Sequence, residues 1–126
     1  KGTTIALLCV GSMVQNAQDA LDLLPSKVQK DQVGIYDMCF IKPLDKKLLV
    51  EIFEHYTTII TLENGVISGG FGSSILEYLT TTKYTNTVKI LGVKDEFPEH
   101  GSVHQLEDLQ GISPQKIKQT ILTYCT

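Results

Sequence analysis

The sequence predicts an α/β fold in three layers, with a mostly parallel or mixed sheet of four to five strands and helices on both faces. Two observations predict it. Short apolar runs of strand length alternate with amphipathic segments of helical period along the 126 residues, and this alternation is typical of strands joined by helical crossovers. The first run, residues 5–10 (IALLCV), is apolar at every position, as in a strand that helices cover on both faces.

Four strands are expected from apolar or β-branched runs, each of which ends at a turn-rich segment. The predicted strands span residues 5–10, 33–41, 58–62 and 88–93. The longest turn-rich segment, residues 63–74 (ENGVISGGFGSS), follows the third of them. Each gap between predicted strands is long enough for a helix, and a helical crossover is what parallel pairing requires.

Helices are expected between the strands, where apolar residues recur every three or four positions. Ser12 is expected to cap the first helix, which ends near Pro25, and Asp45 is expected to cap the second. A third helix should follow the glycine-rich turn. Two short helices finish the chain, with Ser102 and Ser113 as their expected caps and proline at the first position of the last helix.

Composition excludes several classes of protein. The basic residues number 11, all of them lysine, against 14 acidic residues, and the net charge is −3. A nucleic-acid-binding surface needs a basic patch, and no window of this sequence is rich enough in lysine to supply one. The apolar run near the start is also far shorter than the roughly 20 residues of a membrane-spanning helix. We therefore expect neither nucleic acid nor membrane as a partner.

The three cysteines are Cys9, Cys39 and Cys125. They are odd in number and too widely spaced for a CxxC zinc or redox motif, which argues against a disulfide framework. We interpret all three as small apolar side chains, because free cysteine is among the most buried residue types.

The strongest local motif is the glycine-rich turn GGFGSS, with glycines at 69, 70 and 72. Backbone amides at such a turn can receive a phosphate, because a helix N-terminus favours an anion. The spacing does not match GxGxxG, and the turn lacks the GK[ST] ending of a P-loop. The favoured alternative is that the glycines let the helix pack closely on the sheet or on a neighbouring domain.

No catalytic or metal-binding set can be named from the residues. His100 and His104 are four residues apart, but Gly101 intervenes and the order does not match HExxH. His100 is instead expected to hold its loop by hydrogen bonds. No GxSxG elbow is present, and Cys9 and Cys39 lie in predicted buried strands where a thiol is less acidic.

Taken in order, several segments resemble the C-terminal domain of the thiamine-diphosphate-dependent transketolase family, and most closely its deoxyxylulose-phosphate synthase branch. The similar segments are residues 36–45 (YDMCFIKPLD), 61–73 (TLENGVISGGFGS) and 91–101 (LGVKDEFPEHG). The resemblance runs almost from end to end. It implies that residues 1–126 form one transketolase C-terminal-like domain, and the start at Lys1 leads us to expect a fragment of a longer chain.

The resemblance implies a transferase that uses thiamine diphosphate and Mg²⁺. The whole enzyme would condense pyruvate with glyceraldehyde 3-phosphate, with decarboxylation, and feed isoprenoid, thiamine and pyridoxal synthesis in the cytoplasm. In that family the cofactor lies between the two preceding domains, so the resemblance implies no catalytic, cofactor-binding or metal-binding residue here and no activity of this fragment alone. The implied partners are the preceding domains of the same chain and a second copy in a homodimer.

Two alternatives stay open. One is a stand-alone anion- or nucleotide-binding module that uses residues 69–74. The other is the equivalent domain of a transketolase or of a pyruvate dehydrogenase E1 β subunit.

Certain residues match the family's motif positions, and the resemblance implies structural or interface roles for them. They are Lys42, Pro43, Asp45, Glu63, Gly69, Gly70, Gly72 and His100. The chain departs from the family pattern at Cys39, where arginine is usual, at Asn64, where a second acid is common, and at Lys94, where proline is typical. A thiol cannot replace the bidentate donor of an arginine, so the Cys39 departure concerns a salt bridge more than the fold.

Overall fold

The structure, a computed structural model, describes residues 4–25, 32–38, 45–63, 70–92 and 112–124. Within these residues strands and helices alternate, as predicted. The strands are β1 (Ile5–Cys9), β2 (Val33–Asp37), β3 (Thr58–Glu63) and β4 (Thr87–Gly92). The helices are α1 (Met13–Asp22), α2 (Lys46–His55), α3 (Phe71–Thr80) and α4 (Pro114–Tyr124).

The four strands form one sheet in the order β2-β1-β3-β4, and every described pairing is parallel. β1 is a central strand, with Ile5 opposite Val33 on one side and Thr58 on the other. All five of its residues are buried, which explains why its sequence is apolar throughout, since a parallel strand is covered on both faces.

Helices cover both faces of the sheet, which confirms the predicted three layers. On one face, Ile5, Leu7 and Cys9 of β1 pack with the buried residues of α1 and α4. On the other face, Ala6 and Leu8 pack with those of α2 and α3. Each face thus has an apolar core that is continuous from strand to helix, and burial of this area is the main stabilising contribution.

The predicted helix starts are confirmed in position but not in every contact. Asp45 caps α2, and its side chain accepts a hydrogen bond from the Leu48 amide at 3.0 Å. Ser113 Oγ accepts from the Lys116 amide at 3.3 Å at the start of α4. Ser12 precedes α1, but its side chain makes no capping bond, because its backbone is already helical (φ −67°, ψ −8°) rather than extended.

Some strand boundaries differ from the prediction. β2 ends at Asp37, and Met38 follows it outside the strand, although we expected a strand through residue 41. β3 extends one residue further than predicted, to Glu63. The predictions for Cys39, Ser102 and Cys125 lie outside the described residues. No helix in the described part of the chain has the length and apolarity to cross a membrane.

Candidate functional site

The candidate site lies at the carboxyl edge of the sheet, between β1 and β3. These strands are neighbours, and Cys9 at the end of β1 is paired with Leu62 near the end of β3. The helix that follows β1 packs on one face of the sheet, whereas the helix that follows β3 packs on the other. Open α/β sheets bind ligands at such a topological switch point, outside the carboxyl ends of the strands.

The group that occupies the β3 end of this edge is the carboxyl group of Glu63. The residue is only 6% exposed, and its Oε2 atom accepts a hydrogen bond from the backbone amide of Phe71 at 3.1 Å. Burial raises the pKa of Glu63, and hydrogen bonds from the amides of Phe71, Gly70 and Gly72 oppose that rise in part. The N-terminus of α3 therefore already has a carboxyl ligand, and the chain itself supplies it.

Glycines allow α3 and β4 to lie close to β3 and to the carboxyl group of Glu63. Gly70 precedes α3 with φ +101°, a left-handed conformation that favours glycine. A Cβ on Gly72 would lie 2.6 Å from Thr61 Oγ1 and 2.7 Å from Ile90 Cγ2. One on Gly92 would lie 2.8 Å from Glu63 Cγ. The absence of side chains at 72 and 92 thus lets α3 and β4 approach β3.

Thr61 adds to the tight packing beneath α3. Its side chain is fully buried, and its Oγ1 atom has no hydrogen-bond partner among the residues that the structure describes. The hydroxyl lies against Gly72, because a Cβ on that glycine would come within 2.6 Å of Thr61 Oγ1. Close packing, and not a hydrogen bond between described residues, therefore accounts for the contact between Thr61 and Gly72.

This geometry favours the packing interpretation of the glycine-rich turn over phosphate binding. The amides that would bind a phosphate already contact Glu63. An external anion would have to displace that carboxyl group, and the chain has no arginine to assist it.

A second concave region lies at the opposite, amino edge of the sheet. It is a cavity of about 360 Å³ between the end of α2 and the segment before β4. Asn86 links the segment before β4 to the end of α2 by hydrogen bonds. Its Nδ2 atom donates to the carbonyl oxygen of Phe53 at 3.0 Å and to that of Tyr56. The Lys83 Nζ atom lies 5.6 Å from the centre of the Tyr84 ring. The cavity is lined by Phe53, Glu54, His55, Tyr56, Thr57, Lys83, Tyr84, Thr85 and Asn86.

No reactive nucleophile or metal centre emerges from the described residues. Burial, assisted by nearby Asp37, raises the pKa of the Cys9 thiol to about 12, so the thiol is protonated at neutral pH. This confirms Cys9 as a small buried side chain. No group of three or more His, Cys, Asp or Glu residues suited to a metal ion occurs in the part of the chain that the structure describes.

The structure brings together three of the residues matched to family motifs, namely Glu63, Gly70 and Gly72. Asp45 is separate from them and acts as a helix cap. Sequence reasoning missed Gly92, although an isolated glycine in a strand is a recognised sign of close backbone approach. The predictions for Lys42, Pro43, Gly69 and His100 lie outside the described residues.

Comparison with known proteins agrees with this architecture. The family model described as "Transketolase, C-terminal domain" matches residues 1–117. A solved structure described as "Split gene transketolase, inactive beta4 tetramer" superposes with a TM-score of 0.78 at 25% identity, over 98% of this chain and 40% of that one.

Curated relatives carry the name 1-deoxy-D-xylulose-5-phosphate synthase. That of Parabacteroides distasonis is 42% identical over 120 residues, which is 95% of this chain. Those of Bacteroides thetaiotaomicron and Pseudoalteromonas translucida are 36% and 38% identical over 98% of this chain. The chain spans only 19% of the length of each of these three relatives. With the family model matched over most of its length, the chain belongs to the transketolase C-terminal domain family.

Proposed function

We propose that this chain is the C-terminal domain of a 1-deoxy-D-xylulose-5-phosphate synthase and that it supports the fold and the dimer of that enzyme rather than its chemistry. The observation that carries the proposal is the switch point of the sheet. Where α/β proteins usually bind a ligand, Glu63 contacts the first amides of α3. The name shared by the curated relatives supports the choice of enzyme.

The reaction proposed for the whole enzyme joins the two-carbon unit of pyruvate to glyceraldehyde 3-phosphate and releases CO₂. Thiamine diphosphate with Mg²⁺ supplies the carbanion stabilisation that this decarboxylation requires. The product would feed isoprenoid, thiamine and pyridoxal synthesis in the cytoplasm.

The described residues of this domain do not fit the cofactor. They include no group of carboxylates suited to Mg²⁺, and the α3 amides that would suit a diphosphate contact Glu63 instead. We therefore propose that cofactor binding and the catalytic steps belong to the remaining part of the enzyme, and we assign neither to the described residues of this domain.

The 126-residue chain alone is expected to be inactive. The solved transketolase that matches this chain over 40% of its own length is described as an inactive β4 tetramer, so the presence of this fold in a protein does not by itself bring activity. The test is a synthase assay with pyruvate, glyceraldehyde 3-phosphate, thiamine diphosphate and Mg²⁺, run on the full-length enzyme and on the isolated chain. We expect product from the full-length enzyme alone. Turnover by the isolated chain, or none by the full-length enzyme, would contradict the proposal.

The second candidate, a stand-alone anion-binding module, makes a different prediction. Calorimetric titration of the wild-type chain with inorganic phosphate should then give saturable binding that is lost in Gly70→Val. We expect no binding to the wild type, because Glu63 already contacts the amides. The Glu63→Ala variant is the comparison, since it removes the carboxyl group that competes with an external anion for the same amides.

A further inference from the structure

The cavity of about 360 Å³ at the amino edge of the sheet is lined by residues 53–57 and 83–86, and we call it the amino-edge cavity. Its volume lies within the range of sites that bind small molecules. Part of its lining is apolar, because Phe53 is only 3% exposed and the centre of its ring lies 6.0 Å from that of Tyr84. The cavity therefore presents an apolar surface to a small ligand.

Hydrogen bonds hold the walls of the amino-edge cavity in place. The side-chain amide of Asn86 joins the two walls. Thr57 Oγ1 donates to the carbonyl oxygen of Thr4 at 3.0 Å and accepts from the amide of Thr4 at 3.2 Å. The His55 ring donates from Nδ1 to the carbonyl oxygen of Glu51 at 2.7 Å. The walls are thus formed before a ligand binds, and these polar groups already have partners.

Two side chains of opposite charge border the cavity at one aromatic ring. Lys83 Nζ lies 5.6 Å from the centre of the Tyr84 ring. Partial burial raises the pKa of Tyr84, and the negative charge of Glu54 and a hydrogen bond between the two side chains raise it further. The carboxylate of Glu54 therefore lies at the hydroxyl end of that ring. Neither Glu54 nor Lys83 forms an ion pair with another residue that the structure describes.

A ligand that matches this arrangement carries a carboxylate and an ammonium group of its own. In an α-amino acid both groups are attached to one carbon, so a single small molecule can place its carboxylate against Lys83 and its ammonium against Glu54 in charge-assisted hydrogen bonds. An apolar side chain would then contact the rings of Phe53 and Tyr84. We propose that the amino-edge cavity binds a free α-amino acid with an apolar side chain. The inference does not rest on the proposed function.

Ligands with a single charge match the cavity less well. A carboxylic acid or a phosphate pairs with Lys83 but brings a negative charge close to Glu54. A primary amine pairs with Glu54 but brings a positive charge close to Lys83. Each of these ligands leaves one of the two side chains unpaired and meets a like charge, which is how a site discriminates against a competitor.

The test measures the binding of leucine to the full-length protein by saturation-transfer difference NMR titration. The same titration is run with 3-methylbutylamine, which is leucine without its carboxylate, and with 4-methylpentanoate, which is leucine without its ammonium group. We expect saturable binding of leucine with a dissociation constant on the order of millimolar, and binding of each analogue about tenfold weaker or more. Absence of saturable leucine binding, or equal binding of either analogue, would overturn the proposal.

Two variants of the full-length protein test which side chain contacts which charge. Lys83→Met should weaken the binding of leucine and of 4-methylpentanoate about tenfold but not that of the amine, because it removes the partner of the carboxylate. Glu54→Gln should weaken leucine and the amine but not the acid. Lys89→Met and Glu77→Gln are the matched controls, since they change exposed charges outside the cavity, and they should leave leucine binding unchanged.

All four of these positions are exposed, so the variants should fold like the wild type. Leucine binding that is unchanged in both Lys83→Met and Glu54→Gln would lie elsewhere in the protein and would overturn the proposal. The readout is binding and not turnover, so failure of this proposal and failure of the synthase assay can be told apart.

Discussion

The two edges of the sheet are organised in opposite ways. At the carboxyl edge, Glu63 contacts the amides of α3, and glycines bring the neighbouring elements into close contact. At the amino edge, a cavity of about 360 Å³ stays open beside Asn86. The edge at which α/β folds usually bind ligands is thus the closely packed one. Membership of a ligand-binding fold class therefore does not supply a binding site, because the residues at the switch point decide whether space is left.

The largest effect is expected from Glu63→Ala, which removes the carboxyl group at the carboxyl edge. The variant leaves buried amides of α3 without an acceptor, and we expect a loss of about 3 kcal/mol in the free energy of unfolding. Urea denaturation of the wild type and the variant measures it. Glu63→Gln is the matched control, because it keeps an acceptor oxygen, and it should cost about 1 kcal/mol or less. Equal stability of the two variants would contradict the role given to the carboxyl group.

Gly72→Ala tests the close packing at the same edge. Its Cβ would lie 2.6 Å from Thr61 Oγ1 and 2.7 Å from Ile90 Cγ2, and such overpacking costs about 1–3 kcal/mol. Gly70→Ala is the comparison, since its Cβ meets no atom within 4 Å and only the left-handed backbone opposes it. That variant should lose about 1 kcal/mol. A neutral Gly72→Ala in thermal and urea unfolding would mean that α3 is not held closely against the sheet.

At the amino edge, Asn86→Ala should have a smaller effect. Its side-chain amide donates to the carbonyl oxygens of Phe53 and Tyr56, and the loss of these hydrogen bonds should cost about 1–2 kcal/mol. Thr85→Ala, at an exposed position in the same segment, is the control and should leave the unfolding midpoint unchanged. If both variants unfold like the wild type, Asn86 does not hold the cavity wall in place.

The smallest expected effect is a dependence of the free energy of unfolding on pH, which the raised pKa of Glu63 should cause. Burial raises its pKa in the folded state above the ordinary value of 4.5, so between these two pKa values the folded protein binds more protons than the unfolded one. Stability contributed by this group is then present below pH 4.5 and is lost as the pH rises through the folded pKa. The free energy of unfolding of the wild type, relative to Glu63→Gln, should therefore fall with rising pH in this window. A difference that is constant with pH would contradict the raised pKa.

The sequence predicted the layers, the parallel sheet and the Asp45 cap because each depends on residues close together in the chain. Apolar runs and helical spacing report which faces are buried. The contact between Glu63 and Phe71 joins the end of a strand to the start of a helix eight residues later, and no periodic pattern encodes it. The prediction that the Ser12 side chain caps α1 was wrong, because residue type alone does not reveal that the backbone of Ser12 is already helical.

The carboxyl group of Glu63 is a ligand that cannot diffuse away. Because the chain tethers it to the turn that it contacts, its effective concentration at the α3 amides is on the order of millimolar or more, whatever the concentration of free phosphate around the protein. Any external anion therefore has to compete with a carboxyl group that is always present at this edge.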